Sequence, residues 1–325
     1  MTESIARFRK AFLQYLEQEA SGASPQALYD PIRYIMHLGG KRMRPVLVLL
    51  SADLYGTPAD EAMPAALAVE VFHNFTLVHD DIMDDAPLRR GQVTVHEKWD
   101  TNTAILSGDA MLIEAYRKLE GYPPAVFKPM VALFSRTALE VCEGQRYDMD
   151  FETRDDVQIS EYLRMIEYKT AVLVGCALQM GALLAGAPEA DQQSLYSFGI
   201  YLGLAFQLQD DFLDVFGDPK TFGKQIGGDI IENKKTFLYL KSLELADPPT
   251  AQELKDLYSI QPADPKVKIR RISELFRSTG AADAAREKIR EYTQEAFRQL
   301  DSLQLEDSRK EVLRAFGQWL LNRSF

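Results

Sequence analysis

Residues 60–84 read DEAMPAALAVEVFHNFTLVHDDIMD, and residues 191–216 read DQQSLYSFGIYLGLAFQLQDDFLDVF. Each is a long, mostly apolar run at helical spacing that ends in a DDxxD cluster, and neither alternates as a half-buried strand would. The same periodicity continues outward in both directions. Further helices are expected at about 3–20, 26–37, 43–54, 102–120, 125–148, 159–185, 234–245, 250–258, 265–278, 281–302 and 307–323. Glycine and proline fall mostly between these segments, as at Gly39-Gly40, Pro87, Gly91, Pro123-Pro124, Gly186 to Pro188, Pro219 and Gly227-Gly228. No series of short β-branched runs separated by hairpin turns is present, and no low-complexity linker divides the chain. A single all-α domain spanning residues 1–325 is the expectation.

With 325 residues and 46% apolar content the chain can bury a large core. Its net charge of −11 opposes nucleic-acid backbones and anionic membranes as general partners, so an anion must be held by a local basic site or through metals. Cys142 and Cys176 lie in apolar surroundings without disulfide or zinc spacing, which suits a reducing, cytoplasmic setting. The stretch from Ala171 to Ala187 approaches membrane-spanning length, but Gln179 at its centre favours a buried core helix. The N-terminus lacks a hydrophobic signal core and reads as the first helix.

On a helix, residues four apart lie about 40° apart around the axis, so Asp80 and Asp84 share one face, as do Asp210 and Asp214. Carboxylates crowded at a helix C-terminus repel one another and oppose the helix dipole unless cations neutralise them. Hard oxygen ligands in this number suit Mg²⁺, which keeps positions open for substrate phosphate oxygens. One such cluster alone is common on solvated helix ends. Here both follow apolar segments, FHNFTLVH and LGLAFQLQ, so the carboxylates top buried helices, and two clusters facing across a cavity would hold a diphosphate through several metals.

Cations stand beside the clusters. Gly39-Gly40-Lys41-Arg42-Met43-Arg44-Pro45 joins a flexible turn to three positive charges at a helix start, where free backbone N–H groups also favour anions. Arg89-Arg90-Gly91 follows the first cluster, and Lys224 and Lys234-Lys235 follow the second. Lys169-Thr170 heads an apolar helix. Taken singly, each reads as a solvated charge. His73 precedes Asp80 by two turns, and Gln207 precedes Asp210 by three residues on a shared face, so both point toward the same presumed cavity.

GGKRMRP, VHDDIMDDAPLRRG, YKT, QLQDDFLDVFGD and GGDIIENKKT, in this order and spacing, closely resemble the trans-prenyl diphosphate synthases, the polyprenyl synthetase family. The resemblance implies a bundle of long antiparallel helices around a central cavity, normally a homodimer, that condenses an allylic diphosphate with isopentenyl diphosphate. It implies that Lys41, Arg44, His73 and Arg90 hold isopentenyl diphosphate without metal, with Arg42 in the same motif. It implies further that Arg89, Lys169 and Lys224 hold the allylic diphosphate, bridged by Mg²⁺, three ions per active site, to Asp80, Asp84 and Asp210. Asp81, Asp211 and Asp214 complete the metal shells, Thr170 and Gln207 stabilise developing charge, and Lys234 lies near the allylic phosphate. A terpene cyclase would need no second diphosphate site, a non-catalytic subunit would have lost an aspartate or a basic partner, and an acidic interaction protein would not carry the ordered motifs.

Product length is the open question at this level. The growing chain, an allylic primer of dimethylallyl, geranyl or farnesyl type extended by isopentenyl units, must run past the helix that bears the first cluster. Thr76 lies about 40° from Asp80 around that helix and Phe75 about 140° away and some 7 Å along it. Within the resembled family, aromatics at both positions, or two extra residues in the first cluster, mark farnesyl synthases. Here Thr76 is small and DDIMD has no insertion, which favours a geranylgeranyl product, with farnesyl as the alternative.

Overall fold

The helix Ala59–Met83 buries Ala62, Met63, Ala65, Ala66, Leu67, Ala68, Val69, Val71, Phe72, Phe75 and Val78, residues from every side of its circumference. A helix apolar all round has no face for water and is enclosed by its neighbours. The computed structural model describes residues 3–19, 24–217 and 227–321. These fall into two compact units. One comprises the residues up to Ser135 with Cys176–Tyr196 and Gln304–Val312, and the other comprises Arg136–Gly175, Ser197–Leu303 and the residues from Leu313.

In chain order the elements are α1 (Glu3–Glu19), α2 (Gln26–His37), α3 (Met43–Leu54), α4 (Ala59–Met83), β1 (Leu88–Arg89), β2 (Gln92–Val93), α5 (Val95–Lys98), α6 (Thr101–Arg117), α7 (Pro124–Thr153), α8 (Ile159–Ile166), a π-helical turn (Glu167–Ala171), α9 (Val172–Leu184), α10 (Glu189–Phe216), α11 (Gly228–Ile231), α12 (Phe237–Leu245), α13 (Pro248–Tyr258), α14 (Lys266–Ser278), α15 (Ala281–Asp301) and α16 (Asp307–Leu321). Among the described residues the chain is all-α apart from the two-residue strands β1 and β2, an antiparallel pair too short to leave a strand signature in the sequence. No described helix is long and apolar enough to cross a membrane. The stretch from Ala171 is a core helix, with Val172, Leu173, Cys176, Ala177, Leu178 and Met180 buried.

In the first unit α4 packs against α3 and α6. Phe72 meets Phe134 edge-on at 5.3 Å, and Phe134 meets Tyr116 at 5.0 Å, so one aromatic cluster anchors this side of α4. Gly108 lets α6 approach closely, because a Cβ there would lie 2.3 Å from Nε2 of His79.

In the second unit, two glycines surround the π-helical turn. A Cβ on Gly144 of α7 would lie 2.3 Å from the backbone nitrogen of Lys169, and one on Gly203 of α10 would lie 2.7 Å from Ala171. Two backbones therefore press on this one turn. The sequence pattern implies one continuous helix over 159–185. The structure instead inserts a π turn at Glu167–Ala171, an irregularity that recurs at functional sites.

Candidate active site

The first unit assembles a cradle of cations around one neutral histidine. Gly39, Gly40 and Arg42 have positive φ values of 81°, 122° and 53°, with Lys41 between the last two, and together they turn the chain sharply into α3. Gly40 is held against the Arg90 guanidinium, where a Cβ would sit 2.9 Å from Cζ, and Arg90 donates to the Gly39 carbonyl. Arg9 donates to the Gly40 carbonyl at 3.3 Å. Arg44 lies 3.2 Å from Nε2 of His73. A guanidinium can only donate, so Nε2 accepts and the ring proton sits on Nδ1. Burial, followed by the charges of Arg44, Arg90, Arg89 and Arg42, pushes His73 well below the usual histidine range. Lys41 is exposed on the same turn.

Arg42 is not brought to this surface. Its guanidinium is buried, pairs with Glu70 and donates to the Met36 carbonyl, while Asn74 donates to Glu70 at 3.2 Å. Nothing in GGKRMRP separates Arg42 from its neighbours. The left-handed φ at Arg42 turns its side chain into the core, where Glu70 of α4 waits.

The first aspartate cluster divides by helical face. Asp80 is half-buried and Asp84, the C-cap of α4, is exposed. Asp81 is fully buried, and Arg89 donates to its Oδ1 at 2.6 Å while lying 3.7 Å from Asp80. Burial raises the Asp81 carboxyl despite the opposing effect of Arg89. Its other oxygen, Oδ2, is buried without a hydrogen-bond partner among the described residues. Phe75 is buried against Phe72 and His79, at 5.6 and 4.8 Å between ring centroids. Half-buried Thr76 donates to the His73 carbonyl at 2.8 Å.

The second unit repeats the division. Asp211 is buried, with Tyr162 donating to Oδ2 and Gln207 donating to Oδ1 at 2.8 Å. Thr170 on the π turn donates to Gln207 at 3.3 Å, so a chain runs Thr170, Gln207, Asp211, Tyr162. Burial pushes Asp211 up to about 6, opposed by those hydrogen bonds. Asp214 accepts from the backbone N–H groups of Gly228 and Asp229, at 3.2 and 3.1 Å. Burial and then the charges of Asp211 and Asp214 push Asp229 up to about 8. Lys169 pairs with Asp148 at 2.6 Å. Lys234 pairs with Glu232 at 3.0 Å; burial opposes its charge, but Glu232 and Asp229 raise it overall. Lys224 lies outside the described residues.

Sequence reading misses four participants. Tyr162 and Asp148 sit in helices with no motif around them, and Glu70 reads as one polar residue on an apolar helix. Asp229 could have been found, because it follows Gly227-Gly228 and precedes Lys234-Lys235.

The carboxylates suit a hard divalent cation. The donor sets at both clusters are oxygen throughout, Asp81 keeps an unsatisfied buried oxygen, and Asp211 and Asp229 are held toward the protonated form by burial and then by neighbouring carboxylates, Asp210 for the first and Asp211 and Asp214 for the second, a strain that a cation relieves.

A helical scaffold, a cation cradle and two carboxylate clusters, one in each unit, define a class, the helical proteins equipped for diphosphate esters and divalent metals. A family model described as polyprenyl synthetase matches residues 25–275, and the chain belongs to that family, whose members use a divalent metal. A crystal structure of a geranylgeranyl pyrophosphate synthase superposes with a TM-score of 0.95 at 52% identity, covering 100% of each chain. The geranylgeranyl pyrophosphate synthase of Geoglobus acetivorans is 40% identical over 311 residues, 95% of each chain. The geranylfarnesyl diphosphate synthase of Natronomonas pharaonis is 34% identical over 340 residues, 99% of this chain and 97% of its own.

Proposed function

We propose that this polyprenyl synthetase makes geranylgeranyl diphosphate by adding isopentenyl diphosphate to an allylic diphosphate in a Mg²⁺-dependent, head-to-tail condensation. The observation that carries the reading is a division of labour among side chains. Arg44 and Arg90 gather about neutral His73, with buried Glu70 as the carboxylate that acts on both, whereas Arg89 is turned onto Asp81 of the first cluster. Diphosphate can be held by cations alone in the first place and needs metal in the second.

In this account Lys41, Arg44, His73 and Arg90 bind isopentenyl diphosphate, and Arg42 fixes the turn that carries them. Asp80, Asp84 and Asp210 would hold the Mg²⁺ ions, three per active site, and Asp81, Asp211 and Asp214 would complete the metal shells, directly or through water. Bound there, the metals would supply positive charge to the allylic diphosphate, whose charge grows as its carbon–oxygen bond breaks. Arg89, Lys169, Lys224 and Lys234 share that charge. Thr170 Oγ1 and Gln207 Oε1 offer oxygen dipoles to the allylic cation. The isopentenyl double bond attacks that cation, and the released diphosphate takes the proton lost from the new chain.

Thr76, small on the Asp80 face, leaves room for a longer chain, and Phe75 limits its depth. The names of the two geranylgeranyl synthase relatives support twenty carbons. The chain is proposed to act as one domain and as a cytoplasmic homodimer, for which the exposed Ile105, Leu106 and Ile113 of α6 offer apolar surface. Incubating the enzyme with labelled isopentenyl diphosphate and each allylic primer, with and without Mg²⁺, and sizing the product tests the proposal. Twenty carbons made only with metal supports it. A fifteen- or twenty-five-carbon major product overturns the chain length, and no condensation overturns the reaction.

A further inference from the structure

His96 is a buried base. Its side chain is 6% exposed, and both ring nitrogens are buried without a hydrogen-bond partner among the described residues. Such a ring gives up hydration at two polar atoms and receives no protein hydrogen bond in return. It is aimed at carboxylates. Nε2 lies 3.8 Å from Oε1 of Glu97, and one ligand atom each from Asp85, His96 and Glu97 falls within 4.8 Å of the others.

The three residues converge from two sides of a small loop. Asp85 leaves α4 with φ at 48°, a left-handed conformation uncommon outside glycine. His96 and Glu97 lie on α5. Between them, Thr94 closes the loop by donating from Oγ1 to the Ala86 carbonyl at 2.8 Å and from its backbone N–H to the Pro87 carbonyl at 3.2 Å. Above that closure stands the β1–β2 hairpin, with Arg89 paired to Gln92 in register and Arg90 following it. The triad therefore sits at the base of the segment that delivers Arg89 to Asp81 and Arg90 to Gly39.

We infer that Asp85, His96 and Glu97 form a binding site for a borderline divalent cation of the Zn²⁺ type, which clamps the base of the Arg89-Arg90 hairpin. One imidazole nitrogen with two carboxylate oxygens is a donor set that Zn²⁺ and Co²⁺ take readily, whereas Mg²⁺ prefers oxygen alone. The site is thus chemically distinct from the aspartate clusters. The cation's charge of two matches the two carboxylates, and imidazole binds in its neutral form. The buried ring is the fixed ligand. Asp85 and Glu97 are exposed and draw inward, since atoms around a bound tetrahedral ion stand about 3.3 Å apart. Asp85 and His96, with residues 86–95 between them, become the two posts of one clamp.

The test uses the full-length protein in excess Mg²⁺, which occupies the all-oxygen sites, titrated with Co²⁺ and followed by visible absorption. Expected is one equivalent of Co²⁺ per chain with the intense bands of a low-coordinate, nitrogen-containing site, displaced by Zn²⁺. His96→Gln and Asp85→Asn should each weaken that binding by at least about tenfold while circular dichroism stays unchanged. Independently, Co²⁺ should broaden the His96 ring resonances first among the four histidines. Undiminished Co²⁺ binding in folded His96→Gln, broadening centred on another histidine, or no Co²⁺ bound in the presence of Mg²⁺ would each overturn the assignment.

Discussion

Replacing Glu70 with alanine should destabilise the protein far more than a typical substitution of a polar residue. The Arg42 and Glu70 side chains are 2% and 3% exposed, so the pair is almost wholly out of water. Glu70 accepts from both Arg42 and Asn74, and its removal leaves a buried guanidinium that still donates to the Met36 carbonyl but has lost its counter-charge. Stranding one member of a buried ion pair costs about 3–5 kcal/mol. Glu70→Gln keeps the shape and one acceptor, so its cost should fall to about 1–2 kcal/mol. Converting both residues, Arg42→Met with Glu70→Leu, removes the pair without stranding a charge and should return stability to within about 1 kcal/mol of wild type. Urea denaturation followed by circular dichroism measures all three. The double variant should still raise KM for isopentenyl diphosphate, because the left-handed turn that presents Lys41 and Arg44 has lost its anchor. A loss below about 1 kcal/mol in Glu70→Ala, or a double variant as unstable as the single one, would refute the reasoning.

Asp80→Ala and Asp210→Ala should each lower turnover by about three orders of magnitude or more with thermal stability unchanged or improved, since each removes a like charge from a crowded carboxylate group; near-native rates in Mg²⁺ would contradict this. His73, facing Arg44, Arg90, Arg89 and Arg42, is held below its unfolded pKa of about 6.5, so its contribution is intact above that pH and is lost as pH falls toward the folded value. Stability should therefore decline by up to about 1.4 kcal/mol per pH unit below 6.5, less steeply in His73→Gln, and equal slopes in melts between pH 7.5 and 5 would count against a neutral His73. Thr76→Phe should shorten the product and Phe75→Ala should lengthen it, read by chromatography of the dephosphorylated alcohols; wild-type length in both would move the floor of the tunnel elsewhere.

The long helices were legible because each carries its periodicity and its stops within itself. Residues 26–37 and 43–54 are bracketed by Pro25, the Gly39-Gly40 turn and Gly56, and they appear as α2 and α3 with the expected limits. The π turn at Glu167–Ala171 was not legible in its own sequence, because the backbones that pack closely on it, at Gly144 and Gly203, come from other helices. The β1–β2 hairpin was missed because two residues cannot display a period. In the site, residue types and spacing separated cations from carboxylates, but not the inward Asp81 and Asp211 from the outward Asp80 and Asp210. That distinction rests on Arg89, Gln207 and Tyr162, two of which lie outside the clusters' own helices. Arg42 illustrates the same limit, since one backbone angle decides whether its charge meets substrate or Glu70.

The central claim is that the chain holds one diphosphate by cations alone and the other through metal. Equilibrium dialysis of labelled isopentenyl diphosphate, and separately of a non-ionisable allylic diphosphate analogue, in EDTA and then in Mg²⁺ tests it most directly. The account predicts that isopentenyl diphosphate binds about equally under both conditions and is lost in Arg44→Ala, while the allylic analogue binds only with Mg²⁺ and is lost in Asp80→Ala. Isopentenyl diphosphate binding that collapses in EDTA, or allylic binding indifferent to Mg²⁺, would contradict it.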